Sequence, residues 1–342
     1  MKKETIKKIL IIRYKTYGDV FITSSVFEAL KKHFPESRLY YLVQEPYQIA
    51  VINHPFLDEI ITFKRQRGFR YLFSRLTLFK MIRKLKFDLV IDYQNTPGTR
   101  QLSFFSEAKY RVGNDKGQYH FLNNIRVAEP QDRYSGSLKF DMLLPLGIKE
   151  EVWKFHFHID NQSQSIVDDW LKSQGLSNKN FIVITPGSAI KEKIWRLENY
   201  ALLGDMIFER FKLPIVLQYA PNELVYCQKV SAMMKNKPIL APELDLTQAV
   251  ALVKRAKLLI CNDSAINHLS CATETETIAI FGNTDKKLAY KKLNPQKWSP
   301  HSIFSHHHLL YKDEVPSIDD SFGISPKDVF ERIKVIGIKH EK

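Results

Sequence analysis

Residues 258–285 read LLICNDSAINHLSCATETETIAIFGNTD. An apolar run over 258–261 stops at Asn262-Asp263-Ser264, and a helix-like segment follows. A second apolar run, 277–281, ends in Gly282-Asn283-Thr284-Asp285. Short, continuous apolar runs separated by helix-length stretches are the pattern of parallel strands buried on both faces. In open α/β sheets ligands bind at the carboxyl ends of strands. A junction that gathers Asp263, Ser264 and His268 is therefore a candidate site as well as a fold signal.

The same grammar extends in both directions. The first unit reads strand KILIIR, loop YKTYG, helix DVFITSSVFEALKKHF and strand RLYYLV; strand EIITF, a basic helical stretch and FDLVIDY follow. It restarts after residue 161 with helix QSIVDDWLKSQG, strand NFIVITPGS, helix LENYALLGDMIFERF, strand PIVLQYA, helix ELVYCQKVSAMMK, PIL and helix LTQAVALVKRA. The connecting LPLGIKEEVWKFHFHIDNQSQ has no clear period and reads as a linker. The expected class is α/β, with two doubly wound parallel-sheet domains, 1–160 and 161–342. The C-terminal helix has the option of packing back on the first. Two such halves predict a cleft between them.

A length of 342 residues suits two domains of ordinary size. The apolar run near the start is too short for a secretory h-region, and no stretch has the length of a membrane span. Three cysteines, Cys227, Cys261 and Cys271, have no paired metal spacing and suit reduced thiols. The net charge of +14 is uneven. Residues 1–160 hold 27 Lys/Arg against 17 Asp/Glu, and residues 161–342 hold 24 against 20. Nine basic residues and no acid lie between Glu59 and Asp88, starting with Lys64, Arg65, Arg67 and Arg70. A solvated helix face is one reading. The interleaved Phe63, Phe69, Tyr71, Phe73, Leu76, Phe79 and Ile82 favour a helix lying on something both apolar and anionic, closer to a membrane surface than to a duplex groove.

Three more junctions carry chemistry. Gly18-Asp19 follows the first strand: glycine permits a tight turn and close backbone approach to a ligand, and Asp19, at or near the helix N-cap, is either a capping residue or a carboxylate able to take a proton at the sheet mouth. ITPGSAIKEKIWRLENY ends a strand at Pro186-Gly187-Ser188. Backbone N–H groups, Ser188 and Lys191 or Lys193 there suit a phosphate. Glu223, at a helix start past another strand, is either a cap or an acceptor for ribose hydroxyls. Neither the Gly-x4-Gly-Lys-Ser/Thr loop nor Gly-x-Gly-x-x-Gly after strand one is present, which argues against a P-loop NTPase or a standard dinucleotide-dependent dehydrogenase. His306-His307-His308 resembles a metal tract, but three consecutive residues do not converge on one ion, and no metal is expected.

Together, KILIIRYKTYGDVFITSSVFEALKKHFPESRLYYLV, FDLVIDYQN, TPGSAIKEKIW and CNDSAINHLSCATETETIAIFGNTD resemble glycosyltransferase family 9, the ADP-heptose:lipopolysaccharide heptosyltransferases. The resemblance implies the GT-B architecture, with the acceptor on the N-terminal half and the nucleotide sugar on the C-terminal half. It implies that Asp19 is the base that deprotonates the acceptor hydroxyl. Lys193, assisted by Ser188, would hold the donor diphosphate, Glu223 would contact the nucleoside, and Asp263, Ser264 and His268 would surround the phosphates and donor sugar. No cofactor beyond the donor, ADP-heptose, is implied, and no nucleic acid. The implied acceptor is an anionic glycolipid (lipid A–Kdo) at the cytoplasmic face of the inner membrane, which gives the basic stretch a task. A GT-B enzyme that hydrolyses or epimerises a nucleotide sugar, a transferase of another sugar, and a non-catalytic nucleic-acid-binding α/β protein are the competing readings. Three positions depart from the family pattern: Ala265 for glycine, Ser25 for proline, and Asn283-Thr284-Asp285-Lys286 for Pro-Thr-Asp-Pro.

Overall fold

Strands β1 (Lys8–Ile12), β2 (Arg38–Gln44), β3 (Glu59–Phe63), β4 (Leu89–Asp92), β5 (Tyr110–Asn114) and β6 (Ile125–Val127) form one sheet in the order β3-β2-β1-β4-β5-β6. Every pairing is parallel. These positions come from a computed structural model, which describes residues 3–128, 133–282, 294–312 and 322–338. The chain divides into two compact units, Met1–His158 and Ile159–Lys342.

Parallel neighbours need crossover connections, and helices supply them. In the first unit these helices include α1 (Tyr17–Thr23), α2 (Phe27–His33), α3 (Phe69–Leu85) and α4 (Pro97–Phe105), while α5 (Ser135–Asp141) follows the last strand. Ile9, Leu10, Ile11 and Ile12 are fully buried because helices cover both faces, which is why β1 reads as an unbroken apolar run. The sequence predicts one continuous helix over 19–34, but the structure breaks it at the 3-10 turn Ser24–Val26. Hydroxyls compete for the backbone at this break: Thr23 Oγ1 donates to the Asp19 carbonyl and Ser24 Oγ to that of Phe21, while Ser25 Oγ reaches the Gly136 carbonyl at 3.0 Å. Ser25, the departure from proline, thus joins the first helical segment to α5.

The second unit repeats the plan. After α6 (Asn161–Ser173) come β7 (Ile182–Thr185), α7 (Leu197–Phe211), β8 (Ile215–Leu217), α8 (Leu224–Met233), β9 (Ile239–Leu240), α9 (Leu246–Arg255), β10 (Leu258–Asn262), α10 (Ala265–Leu269), β11 (Glu276–Ile280), α11 (Pro295–Trp298), β12 (His307–Leu310) and α12 (Pro326–Ile336). The sheet order is β12-β11-β10-β7-β8-β9, again wholly parallel. The closing helix, α12, buries Val329, Phe330 and Ile333 in the core shared with α7 of this unit. In each sheet the order reverses beside the first strand, between β1 and β4 and between β7 and β10. Those two switch points are where an open α/β sheet leaves a crevice for a ligand.

The stretch read as a linker is not loose on its first-unit side. Phe155 stacks on Phe21 with ring centroids 4.5 Å apart, and Trp153 lies edge-on to Phe155 at 4.9 Å. Asp160 then caps α6 by accepting from the Ser163 N–H. The tract His306-His307-His308 is strand rather than metal tract. His307 is buried on β12, and His308 Nε2 lies 2.8 Å from the Glu276 carboxylate on β11.

His54 is buried edge-on to Phe27 at 4.9 Å and to His156 at 5.3 Å. Burial, with His156 nearby, pushes its pKa down from 6.5 to about 3. The imidazole is neutral in the fold, whereas the unfolded chain takes up a proton below pH 6.5. Stability of the first unit should therefore fall as pH drops from 6.5 toward 3, by up to about 1.4 kcal/mol per pH unit. Urea titrations across that range should show the slope, and His54→Phe should flatten it.

Candidate active site

At the switch point of the second sheet, one side chain organises three segments. Asn262, the buried last residue of β10, accepts at Oδ1 from the Trp195 N–H (3.0 Å) and the Tyr200 hydroxyl (2.8 Å). Its Nδ2 donates to the carbonyls of Pro186 (2.9 Å) and Gly187 (3.2 Å). An amide has two donors and two acceptor positions, and all four are used. The turn after β7, the start of α7 and the end of β10 are thereby fixed to one another.

That frame brings Lys193 and Asp263 together. Lys193, closing a 3-10 turn, places Nζ 2.5 Å from Asp263 Oδ2. Asp263 is buried; burial pushes its carboxyl up, and the Lys193 ammonium opposes that shift. Ser188, also buried, points its hydroxyl at the Asp263 carbonyl at 3.4 Å. Glu223 is half-buried at the start of α8 without a side-chain cap bond. A Cβ on Gly187 would overlap the Glu223 carboxyl, so the glycine is what lets that side chain lie across the turn. Burial raises the Glu223 carboxyl above its ordinary value. Ser188, Lys193, Glu223 and Asp263 thus share the carboxyl edge of adjacent strands, and Lys191 is exposed beside them.

Ser264 stands at the N-cap position of α10 without capping it, and its buried Oγ has no hydrogen-bond partner among the described residues. His268 is buried on α10 with its ring 6.4 Å from that of Trp298. Ala265 occupies the first position of α10 and has no left-handed φ, so alanine fits there without strain. The departure at 283–286 lies outside the described residues. Among the described residues, no group of three His, Cys, Asp or Glu side chains is arranged to hold a metal ion.

In the first unit Asp19 is not the N-cap. Thr16 takes that position, and Asp19 is the third helical residue, closing a capping box by accepting from the Thr16 N–H at 3.4 Å. Gly18 is a buried residue of the same turn with no left-handed φ. The other Asp19 oxygen pairs with Arg13 Nη2 at 2.6 Å, and Arg13 Nη1 donates to the Tyr93 carbonyl at 3.0 Å. Arg13 follows β1 and Tyr93 follows β4, so the carboxylate is held at the switch point of this sheet. Asp92, fully buried at the end of β4, accepts from the backbone N–H groups of Gln94 and Asn95 through Oδ1. Burial pushes its carboxyl up to about 6, with those N–H groups working against the shift. Lys64, Arg65 and Arg67 on the approach to α3 and Arg70 in its first turn are all exposed, and Lys64 lies 3.7 Å from Glu45.

A family model, glycosyltransferase family 9 (heptosyltransferase), matches residues 75–307. The chain belongs to glycosyltransferase family 9. It is an enzyme of that family, and its pair of wholly parallel units is the GT-B fold. The lipopolysaccharide heptosyltransferase 1 of Campylobacter coli is 25% identical over 81% of this chain and 84% of its own. A family 9 glycosyltransferase structure from Veillonella parvula superposes with a TM-score of 0.83 at 22% identity, covering 98% of both chains. The Escherichia coli heptosyltransferase WaaC, solved with ADP-2-deoxy-2-fluoro heptose, superposes at 0.72 with 15% identity over 96% of this chain and 100% of that one.

Sequence reasoning about this family 9 enzyme missed Arg13, Asn262 and Asp92. Each sits at or just past a strand end, Asn262 next to Asp263 and Arg13 paired with Asp19, and strand-end position is the signal that would have found them. Asn262→Ala should leave the Trp195 N–H, the Tyr200 hydroxyl and two carbonyls without their partner. An orphaned buried polar group costs about 1–3 kcal/mol, so a loss of at least about 3 kcal/mol is expected. Urea unfolding of the variant against the parent measures it, and an unchanged midpoint would show that the clamp does not hold the site.

Proposed function

We propose that this family 9 enzyme transfers a heptose from ADP-heptose to the inner core of lipopolysaccharide, a lipid A–Kdo acceptor, with inversion at the anomeric carbon. The reading is carried by one observation: a Lys193–Asp263 ion pair at a sheet switch point, with the hydroxyl of the following Ser264 lacking a partner among the described residues. A cation held in a largely desolvated turn suits a diphosphate, and the solved relative with an ADP-heptose analogue supports that class of donor. The half-buried Glu223 carboxylate over Gly187 suits ribose hydroxyls.

The chemistry is a single displacement. As the acceptor oxygen forms its bond to the anomeric carbon, the bond to the diphosphate breaks and its electron pair leaves with ADP. Negative charge grows on the leaving oxygens, where Lys193 and the Ser188 and Ser264 hydroxyls act; a placed donor of this kind is worth about 3 kcal/mol. The acceptor proton passes to Asp19, whose carboxylate Arg13 orients. The carbon is oxocarbenium-like at the transition state, and inversion needs one carboxylate as base, not a second as nucleophile. Lys64, Arg65, Arg67 and Arg70 match an acceptor that carries phosphates and carboxylates, found at the cytoplasmic face of the inner membrane.

Asp19→Asn should keep ADP-heptose affinity and lower kcat by about 10²–10⁴-fold, the usual contribution of a general base. Calorimetric titration with ADP-heptose, paired with turnover on truncated lipopolysaccharide, separates the two effects; intact turnover would leave Asp19 as a helix-capping residue only. Lys193→Ala should weaken ADP affinity and lower kcat by about 10²-fold or more. In a panel of nucleotide sugars, ADP-heptose should give the largest thermal stabilisation and the only efficient transfer. Hydrolysis at the same rate with and without acceptor would point instead to a nucleotide-sugar hydrolase.

A further inference from the structure

Helix α3 (Phe69–Leu85) has apolar residues on two opposite faces, and its core accounts for one of them. Leu78 and Ile82 are buried against Leu10, Leu42 and Leu102, with Phe79 and Leu85 partly buried beside them. Phe79 and Ile82, read from sequence as part of an outward apolar face, therefore belong to the inward one, and Phe63 ends β3 and packs against the same core. The outward face holds Phe69, Leu72, Phe73 and Leu76, spaced i, i+3, i+4, i+7, with exposures of 84%, 56%, 71% and 56%. A lone exposed phenylalanine needs no explanation, but a contiguous set on one ridge does.

Continued along the axis, the same face turns basic. Lys80, Arg83 and Lys84 follow Leu76 at helical spacing, and all three are exposed. Before the helix stand Lys64, Arg65 and Arg67, with Arg70 in its first turn. Of the acids that approach, Glu45 pairs with Lys64, and Glu107 lies 2.6 Å from Arg83. The apolar surface also extends sideways onto α4: Phe79 lies 5.4 Å from Phe105, Phe105 lies 5.5 Å from Phe104, and the two α4 rings are each 45% exposed. Arg75 lies over Phe79 and Arg111 over Phe104, so guanidinium groups edge the patch.

We infer that this ridge of α3 and α4 docks on an anionic lipid bilayer, with Phe69, Leu72, Phe73 and Leu76 entering the headgroup–acyl boundary and the flanking cations lying among lipid phosphates. The two chemistries occur in the order that a bilayer surface presents them. Apolar side chains occupy the centre of a convex ridge, and cations bracket it at both ends. A duplex would satisfy the cations but leave the branched Leu72 and Leu76 in water, and an acidic protein would need a matching apolar groove. Among the described residues no helix is long and apolar enough to cross a membrane. Contact of this kind lies in the interface plane, combining buried apolar area with attraction to anionic headgroups.

The test uses the full chain, vesicles and no substrate, so its outcome is independent of the transfer reaction. The chain should co-sediment with phosphatidylethanolamine–phosphatidylglycerol vesicles and not with phosphatidylcholine vesicles, and binding should weaken severalfold as salt rises from about 0.05 to about 0.3 M. Phe69→Ser/Phe73→Ser/Leu76→Ser, which keeps every charge, should partition at least about tenfold more weakly. Lys80→Gln/Lys84→Gln should weaken binding at low salt by about fivefold. All substituted side chains are exposed, so unchanged melting curves are expected to show that the variants fold. Emission of Phe73→Trp should move to shorter wavelength when anionic vesicles are added. No vesicle binding, equal partitioning of the serine variant, or an unmoved Trp emission would overturn the inference. So would a ridge that binds only oligonucleotide, or one that mediates only self-association.

Discussion

The side-chain amide of Asn262 is the constraint on which the geometry of the proposed donor site rests. Lys193 sits in a loop with no long regular structure, and a lysine there would ordinarily wander. The loop is pinned at both ends by the same residue, since Asn262 holds Pro186 and Gly187 on one side and Trp195 and Tyr200 on the other. With the loop's ends fixed at the tip of β10, the next residue along, Asp263, is within reach of the ammonium. A buried amide with all four capacities used loses little freedom and leaves nothing unsatisfied. An aspartate in its place would present oxygens to two carbonyls.

The two units solve the same electrostatic problem differently. Each parallel sheet collects polar residues at the carboxyl ends of its strands, where a low dielectric makes an isolated carboxylate costly. In the second unit Asp263 is desolvated and Lys193 offsets its charge, so an arriving anion competes for a cation that is already in position. In the first unit the deeply buried Asp92 is raised toward neutrality, while Asp19 stays partly exposed and paired with Arg13. That division fits the tasks proposed for them. The donor side needs a fixed positive group, whereas a proton acceptor needs access to solvent or substrate and an orientation that does not drift.

Much of this was legible in the chain. Continuous apolar runs gave β1, β4, β7, β10 and β11, because a strand buried on both faces leaves no alternation to misread. Strands β5, β6 and β12 were not read: Tyr110–Asn114 is largely polar, Ile125–Val127 is only three residues long, and His307–Leu310 opens in a histidine run. The helix break at Ser24–Val26 was hidden because serine and threonine tolerate helices while their hydroxyls bend them. Asp19, Ser188, Lys193, Glu223 and Asp263 were singled out through their place at strand ends. Arg13 and Asn262 were not, since a strand's own last residues read as core until the hydrogen bonds they make across the sheet are visible.

Helix α3 shows why composition alone could not orient the basic segment. Seventeen residues with aromatics spread around the axis give no clear amphipathic signal, since one apolar face serves the core and the other does not. Only the burial of Leu78 and Ile82 separates them, and it leaves Phe69, Leu72, Phe73 and Leu76 on a surface the fold has no use for. A soluble enzyme with no task there would gain by replacing these residues with polar ones, because the core would be untouched and association suppressed. The same reasoning applies to the cations, whose mutual repulsion within one segment is left largely uncompensated by acids. Apolar exposure and like-charge crowding are each mildly unfavourable in water, and a single anionic, partly apolar surface relieves both.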